Sequence, residues 1–176
     1  TKKIALLGST GSIGVQTLAC CKALGYRINV LAANKSVDLL EQQAREFSPR
    51  CVVVSDKNAY TDIKMRLADL PVQILAGVDG MCEAAALPEN DVVCNAVVGM
   101  VGLRPTLAAI EAGKTVALAN KETLVAGGQL VMEAVARTGV GLLPVDSEHS
   151  AIFQSLQGSR RADLSKIILT ASGGPF

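Results

Sequence analysis

Two kinds of segment alternate along this chain, and the alternation constrains the fold more than any single motif does. Eight short apolar runs, rich in β-branched residues, have the length of buried strands: 4–7, 28–32, 51–54, 72–75, 92–95, 115–118, 142–145 and 167–170. Seven segments of helical character lie between most of them: 13–24, 36–47, 57–69, 79–86, 103–112, 122–138 and 148–156. Strands that alternate with helices form a parallel sheet with helices on both faces, and unbroken apolar runs are typical of strands covered on both sides. The sequence therefore predicts an α/β fold with a doubly wound, mostly parallel sheet.

A glycine-rich turn, Gly8-Ser9-Thr10-Gly11-Ser12-Ile13-Gly14, follows the first predicted strand. Glycines let such a turn be tight and let its backbone approach a pyrophosphate, while the N-terminus of the next helix favours an anion. The spacing is G-x-x-G-x-x-G rather than the common G-x-G-x-x-G, and any tight strand-to-helix turn uses glycine. Its place directly after the first strand favours nucleotide binding on a Rossmann-like domain.

Three polar residues, Asn34, Lys35 and Ser36, follow the second predicted strand. An NAD-binding unit carries an acidic residue about twenty residues past the glycine turn, to bind the ribose 2′-hydroxyl. Here donors and a positive charge replace the acid, which favours NADP over NAD. A helix start with Ser36 as N-cap explains the same residues, and both interpretations can hold together.

Small and polar residues also follow two later strands. The segment 95–99 ends in Gly99 and is a candidate floor for a nicotinamide, or a plain glycine-rich turn. Asn120, Lys121 and Glu122 follow the sixth strand, where Asn120 has the residue type that binds a ribose or caps a helix. The helix-cap interpretation does not explain why a lysine is at position 121, because a cation in the first turn of a helix is mildly unfavourable. Lys121 is therefore a candidate contact for an anionic or carbonyl-bearing substrate.

Two acidic residues, Asp146 and Glu148, follow the seventh strand. In an extended segment this spacing places both carboxylates on one side, and paired carboxylates suit Mg²⁺ or Mn²⁺. The alternative is that Asp146 caps the next helix and Glu148 lies in its first turn. His149, the single histidine, is interpreted as a hydrogen-bonded structural residue and not as a metal ligand.

Composition excludes several classes of partner and compartment. A net charge of +1 gives no reason to expect nucleic acid or an anionic membrane as partner. The most apolar stretch, 92–103, is too short to span a bilayer. Five cysteines without C-x-x-C spacing indicate buried thiols in a reducing compartment. With the first strand starting almost at residue 1, no signal peptide is expected, and the protein is predicted to be cytoplasmic.

Four motifs together, GSTGSIG, ANKE, PVDSEHSAIFQ and LTASGGPF, closely resemble the 1-deoxy-D-xylulose 5-phosphate reductoisomerase family over the whole chain. The resemblance implies an NADPH-binding Rossmann-like domain at 1–146 and, at 147–176, the beginning of an α+β catalytic and metal-binding domain. It implies cofactor contacts at Thr10, Gly11, Ser12, Ile13, Asn34, Lys35, Ser36, Asn120 and Glu122. It implies substrate contacts at Lys121, Ser147, Glu148 and Ser172, with Ser172 towards the phosphate, and a divalent metal held by Asp146 and Glu148. Where the family often has Gly and Asn, this chain has Asn34 and Ser36, so Lys35 is the firmest expected 2′-phosphate contact.

The resemblance also implies a reaction. Members of the family use NADPH and Mn²⁺ or Mg²⁺ to rearrange and reduce 1-deoxy-D-xylulose 5-phosphate to 2-C-methyl-D-erythritol 4-phosphate, in isoprenoid biosynthesis without mevalonate, and a homodimer is expected. Lys121, Asp146 and Glu148 are the candidate catalytic residues. The third metal carboxylate and the flexible lid lie beyond the family's GGPF block. This chain alone is therefore expected to turn over little or no substrate.

Two other functions remain open from the residues. A non-catalytic NADP-binding module would explain the glycine turn and Lys35, but not Lys121 or the acidic pair. Tyr60 and Lys64 have the Y-x-x-x-K spacing of short-chain reductases. That pair lies on a strongly charged helical segment, which is more typical of a solvated surface.

Overall fold

The computed structural model describes residues 1–170, and its sheet has the predicted strand pattern. The seven strands are β1 (Lys3–Leu7), β2 (Arg27–Ala33), β3 (Cys51–Val54), β4 (Gln73–Ala76), β5 (Val92–Asn95), β6 (Thr115–Leu118) and β7 (Leu142–Pro144). All of the pairings between them are parallel. The predicted parallel α/β sheet is confirmed.

Seven helices lie where the helical segments predicted them, six between consecutive strands and the seventh after β7. They are α1 (Ser12–Ala23), α2 (Val37–Phe47), α3 (Lys57–Arg66), α4 (Gly77–Ala85), α5 (Leu103–Glu111), α6 (Lys121–Thr138) and α7 (Ser147–Ser155). Two short 3₁₀ turns lie at Met100–Gly102 and Arg161–Asp163. Within the described residues, no helix is both long and apolar enough to cross a lipid bilayer.

The strand order is β4-β3-β2-β1-β5-β6-β7, which reverses direction between β1 and β5. On one face, Leu18 of α1, Leu40 of α2 and Ile63 of α3 pack against the sheet. On the other face, Met81 of α4 and Ile110 of α5 contribute to a second apolar layer, together with residues of α6. In such open sheets, ligands bind beyond the carboxyl ends of the strands at the point of reversal.

The prediction of an eighth strand at 167–170 is wrong. These residues have no strand partner in the described part of the chain, and Ile168 is 76% exposed. An apolar run forms a strand only where a neighbouring strand accepts its hydrogen bonds, because the backbone groups must be satisfied.

The five thiols are free, and their burial follows the prediction with one exception. Cys21, Cys51 and Cys94 are buried, Cys82 is half-buried, and Cys20 is exposed. Adjacent residues of a helix are turned about 100° apart. Cys21 therefore enters the apolar layer while Cys20 faces solvent.

Candidate cofactor and metal site

The candidate residues follow the carboxyl ends of five neighbouring strands. Register pairs the ends of β2 and β1 (Ala32 with Leu7), of β1 and β5 (Leu7 with Asn95), and of β5 and β6 (Asn95 with Leu118). Leu118 in turn pairs with Pro144 of β7. Four inter-strand steps of about 4.8 Å give a row about 19 Å long. The fold thus places all of the described candidates along one edge of the sheet.

The glycine-rich turn is compact, and two of its three glycines, Gly8 and Gly14, are sterically required. Gly8 has φ +89°, and a Cβ there would lie 2.5 Å from the Ala96 carbonyl oxygen. A Cβ on Gly14 would lie 2.2 Å from the Gly8 carbonyl oxygen. Both positions therefore exclude any side chain.

The N-terminus of α1 leaves its first amide groups without a side-chain cap. Gly11 is the N-cap and makes no side-chain hydrogen bond. The N–H of Val15 donates to the Gly11 carbonyl at 2.9 Å, so the N–H groups of Ser12, Ile13 and Gly14 precede the first helical hydrogen bond. Uncapped N–H groups at the positive end of a helix suit an anion such as a pyrophosphate.

A cleft of about 480 Å³ opens beside this turn, at the point where the sheet reverses. Thr10 and Gly11 line one side and Asn34 another, while Val97 and Val98 belong to the loop after β5. The cleft therefore joins the glycine turn, the end of β2 and the candidate nicotinamide floor. Ser12, Ile13, Lys35 and Ser36 lie outside its lining.

The segment after β2 presents exposed polar groups. Asn34, Lys35 and Ser36 are all exposed, and within residues 1–170 Lys35 forms no ion pair. Ser36 occupies the N-cap position of α2, as the helix-start interpretation predicted, but its side chain makes no cap hydrogen bond. An exposed lysine one residue before a helix N-cap is well placed for a 2′-phosphate.

Asn120 is the N-cap of α6, and its side chain is fully engaged by protein atoms. Its Oδ1 accepts hydrogen bonds from the N–H and hydroxyl of Thr123, at 2.8 and 3.0 Å. Its Nδ2 donates to the carbonyls of Val97 and Gly99, both at 2.7 Å. The helix-cap interpretation is confirmed, and the amide also holds the loop that forms the floor of the cleft.

A second buried amide supports the same loop from β5. Asn95 Nδ2 donates to the Gly102 carbonyl at 2.9 Å and to the Thr106 hydroxyl at 2.8 Å. A Cβ on Gly102 would lie within 2.8 Å of the Nδ2 atoms of both Asn95 and Asn120. The loop 96–102 is thus held by two asparagines with a glycine wedged between them.

Lys121 and Glu122 lie in the first turn of α6, and both are exposed. Neither forms an ion pair with any of the residues 1–170. Lys121 therefore remains accessible for an anion at the strand end next to Asp146.

Asp146 precedes α7, and its side chain does not cap that helix. It occupies the N-cap position of α7, yet its side chain makes no cap hydrogen bond. Its Oδ1 lies 2.6 Å from His149 Nδ1, which confirms His149 as a hydrogen-bonded partner. Its Oδ2 is buried, with no hydrogen-bond partner in the described part of the chain. A buried, unpaired carboxylate oxygen fits a divalent cation as partner.

The extended spacing assumed for the two carboxylates is not observed. Strand β7 ends at Pro144, and Glu148 already lies in the first turn of α7. Ser147 and Glu148 line a separate groove of about 440 Å³ between α7 and the segment 164–170. Among the residues described, no three His, Cys, Asp or Glu side chains form a metal-binding group. Ser172, the expected phosphate contact, lies outside the described residues.

The Tyr60–Lys64 pair lies on α3, and neither residue lines the cleft. Lys64 Nζ is 5.6 Å from the centre of the Tyr60 ring, a cation–π contact. The tyrosine packs against the apolar layer of α1, α2 and α3. This geometry gives the pair a packing role and does not support a short-chain reductase.

Sequence reasoning missed two residues that line the cleft and one that contacts the glycine turn. Ser55 follows β3 and lines the cleft together with Met81 of α4. Ser55 could have been found in the sequence, because it is a polar residue directly after a strand, like the other candidates. Met81 could not, because only its apolar character is visible in the sequence. Gln43 of α2 donates a hydrogen bond to the glycine turn, and a glutamine within an amphipathic helix also gives no signal in the sequence.

Comparison with known proteins finds one matching family along most of the chain. The family model of 1-deoxy-D-xylulose 5-phosphate reductoisomerase matches residues 4–128, and the model of the C-terminal domain of that enzyme matches 142–176. The chain belongs to the 1-deoxy-D-xylulose 5-phosphate reductoisomerase family. The reductoisomerase of Agathobacter rectalis is 51% identical over 176 residues, which are 99% of this chain and 46% of that protein. The chain thus spans about half the length of the curated relatives that it matches.

Solved structures of the family share the fold. The reductoisomerase from Zymomonas mobilis in complex with NADPH aligns with a TM-score of 0.83 and 44% identity, covering 87% of this chain and 41% of that one. A reductoisomerase in complex with NADPH, fosmidomycin and magnesium aligns with a TM-score of 0.87 and 41% identity, covering 93% of this chain and 41% of that one. The ligands in these two structures are bound by those family members.

Proposed function

We propose that this chain is the NADPH-binding part of an enzyme that converts 1-deoxy-D-xylulose 5-phosphate to 2-C-methyl-D-erythritol 4-phosphate, a step of isoprenoid biosynthesis. One observation carries the proposal. Candidates for the cofactor, for an anionic substrate and for a metal follow adjacent strand ends at one edge of the sheet. In that row, Lys121 stands between the cofactor cleft and Asp146, where a substrate would meet both.

The cofactor would lie across the reversal point of the sheet. The turn from Thr10 to Ile13 would bind its pyrophosphate, and Lys35 its 2′-phosphate, with Asn34 and Ser36 beside the adenosine. The loop 96–99 would form the floor under the nicotinamide, with Asn120 holding that floor and Glu122 close to it. NADPH, when bound, supplies the hydride of the reduction.

The substrate would lie against the ends of β6 and β7. Asp146 and Glu148 would hold Mg²⁺ or Mn²⁺, which supplies Lewis acidity and orientation to the oxygens of the sugar phosphate. Lys121 would bind an anionic oxygen, and Ser147 and Ser172 would donate to the substrate. We place the start of the catalytic domain at residue 147 and the NADPH-binding domain at 1–146.

Equilibrium binding and turnover of this chain test the proposal separately. We expect the folded chain to bind NADPH, followed by the change in nicotinamide fluorescence, and to bind NADH more weakly. We expect little or no steady-state turnover with substrate, NADPH and Mn²⁺. A folded chain that does not bind NADPH would contradict the proposed cofactor site, and near-normal turnover would contradict the proposed dependence on further residues.

The compartment and the assembly belong to the same proposal. Five free thiols, three of them buried, suit a reducing cytoplasm. A homodimer is the proposed assembly of the complete enzyme. Sedimentation velocity of the complete enzyme tests this, and a monomer at micromolar concentration would contradict it.

A further inference from the structure

Gln43 reaches from α2 to the backbone of the glycine-rich turn. Its side chain is almost fully buried, with 5% exposure. Its Nε2 donates a hydrogen bond of 2.9 Å to the Ser9 carbonyl oxygen, thirty-four residues earlier in the chain. The side chain therefore joins the helix that begins beside Lys35 to the turn that begins α1.

The Ser9 backbone is fixed from three directions. Its N–H donates to the Ala32 carbonyl of β2 at 2.8 Å, and its carbonyl accepts from Gln43. On the third side lies Gly14, where a Cβ would come within 2.6 Å of the Ser9 carbonyl carbon. Of these three contacts, only the one from Gln43 is made by a side chain.

The direction of the Ser9 carbonyl determines the direction of the next amide. In a trans peptide, the carbonyl of residue 9 and the N–H of residue 10 lie in one plane and point in opposite directions. When Gln43 holds the Ser9 oxygen, the Thr10 N–H must point away from Gln43. Thr10 lines the cleft, and among the described residues its N–H donates no backbone hydrogen bond, so it is available to the proposed pyrophosphate.

Folding stability alone does not explain the contact between Gln43 and Ser9. Ser9 Oγ and Gln43 Oε1 are both buried, with no hydrogen-bond partner among residues 1–170. Buried polar atoms without partners cost folding free energy, and this cost offsets what the hydrogen bond to the Ser9 carbonyl contributes to stability. What an apolar side chain cannot do is hold the Ser9 carbonyl.

We propose that Gln43 is a positioning residue for the pyrophosphate cradle, acting through the Ser9–Thr10 peptide. This inference rests on the proposed function, since it concerns the same NADPH site. Gln43 would thus support binding of the pyrophosphate and not of the 2′-phosphate, although Gln43 and Lys35 are only eight residues apart in the chain.

Two ligands separate these roles. NADPH contains the pyrophosphate, whereas adenosine 2′-monophosphate has the 2′-phosphate and adenine without it. For Gln43→Met, which fills the same space without a donor, we expect the Kd for NADPH to rise roughly ten- to hundredfold, as for the loss of hydrogen bonds to a charged group. The Kd for adenosine 2′-monophosphate should change less than about twofold, because this ligand does not reach the cradle.

The neighbouring Gln42 provides a matched control. It lies on the same helix and is exposed, so Gln42→Met should leave both Kd values unchanged. Gln43→Glu is the second variant, since it keeps the length of the side chain and replaces the amide donor by a carboxylate. It should weaken NADPH at least as much as Gln43→Met does, because it also places a negative charge near the phosphates.

The ratio of the two Kd values decides the question, measured at a temperature where circular dichroism shows each variant to be folded. If Gln43→Met leaves both Kd values unchanged, or raises both by the same factor, the assignment of Gln43 is overturned while the proposed function stands. Position 43 variants without a folded population would overturn it too, since Gln43 would then serve the fold. Failure of the folded wild-type chain to bind NADPH is a different result, and it would refute the proposed function itself.

Discussion

Asn120 Nδ2 donates a 2.7 Å hydrogen bond to the Val97 carbonyl and so ties the start of α6 to the loop after β5. Because the same amide also binds the Gly99 carbonyl and caps α6 through Oδ1, one buried side chain connects two strand ends. The floor of the cleft is thus held by the residue that precedes Lys121.

Removal of this amide should destabilise the chain and loosen the cleft. For Asn120→Ala we expect the free energy of unfolding in urea to fall by about 3 kcal/mol, of which the lost cap is about 1 and the two unpaired carbonyls are about 1 each. Asn58→Ala changes an exposed asparagine of α3 and should stay within about 0.5 kcal/mol of wild type. Equal effects of the two substitutions would show that the contacts of Asn120 contribute nothing.

Gly14 should tolerate no side chain at all. A Cβ there would overlap the Gly8 carbonyl oxygen at 2.2 Å, so Gly14→Ala must displace the turn, and we expect a loss of about 3 kcal/mol or more in stability. Gly128 of α6 is the matched control, because a Cβ there meets nothing within 4 Å. Gly128→Ala should be neutral or stabilise the chain by up to about 1 kcal/mol. Thermal unfolding measures both, and a Gly14→Ala variant as stable as Gly128→Ala would refute the steric argument.

Lys35 should determine the preference for NADPH. For Lys35→Asp we expect the Kd for NADPH to rise roughly ten- to hundredfold, through loss of a charge-assisted contact and gain of repulsion. The Kd for NADH should change little, because NADH lacks the 2′-phosphate. Lys2→Asp, an exposed lysine before the amino end of β1, should change neither value. If both nucleotides weaken equally in Lys35→Asp, Lys35 does not recognise the 2′-phosphate.

Much of the fold follows from the sequence because its signals are local. The apolar runs and the helical segments between them predict all seven observed strands and all seven helices, and the glycine turn marks the first crossover. The run at 167–170 has the same composition as the true strands, yet it is not a strand in the structure. A strand depends on a partner elsewhere in space, which a run of apolar residues does not reveal.

The site is predictable only in part, for a related reason. Residues that directly follow strands, such as Lys35 and Asp146, can be found by their position in the sequence. Gln43 acts across thirty-four residues on a backbone carbonyl, and Asn120 uses its whole amide on the protein. Such contacts depend on packing between elements, which residue type and spacing do not encode.

Two buried thiols predict how stability changes at high pH. Burial raises the pKa of the Cys51 thiol to about 12 and that of the Cys94 thiol to about 11, against an ordinary value of 9.0. Above pH 9 the unfolded chain releases these protons while the folded chain keeps them, so each thiol should lower the free energy of unfolding by about 1.4 kcal/mol per pH unit up to its folded pKa. Below pH 9 neither thiol contributes to the pH dependence of stability.

Urea unfolding between pH 8 and pH 11 tests this. The free energy of unfolding of Cys51→Ala should fall less steeply with pH than that of wild type. Val52→Ala, a buried substitution without a titrating group, should keep the wild-type slope. Equal slopes for all three proteins would mean that Cys51 ionises as readily in the folded chain as in the unfolded one.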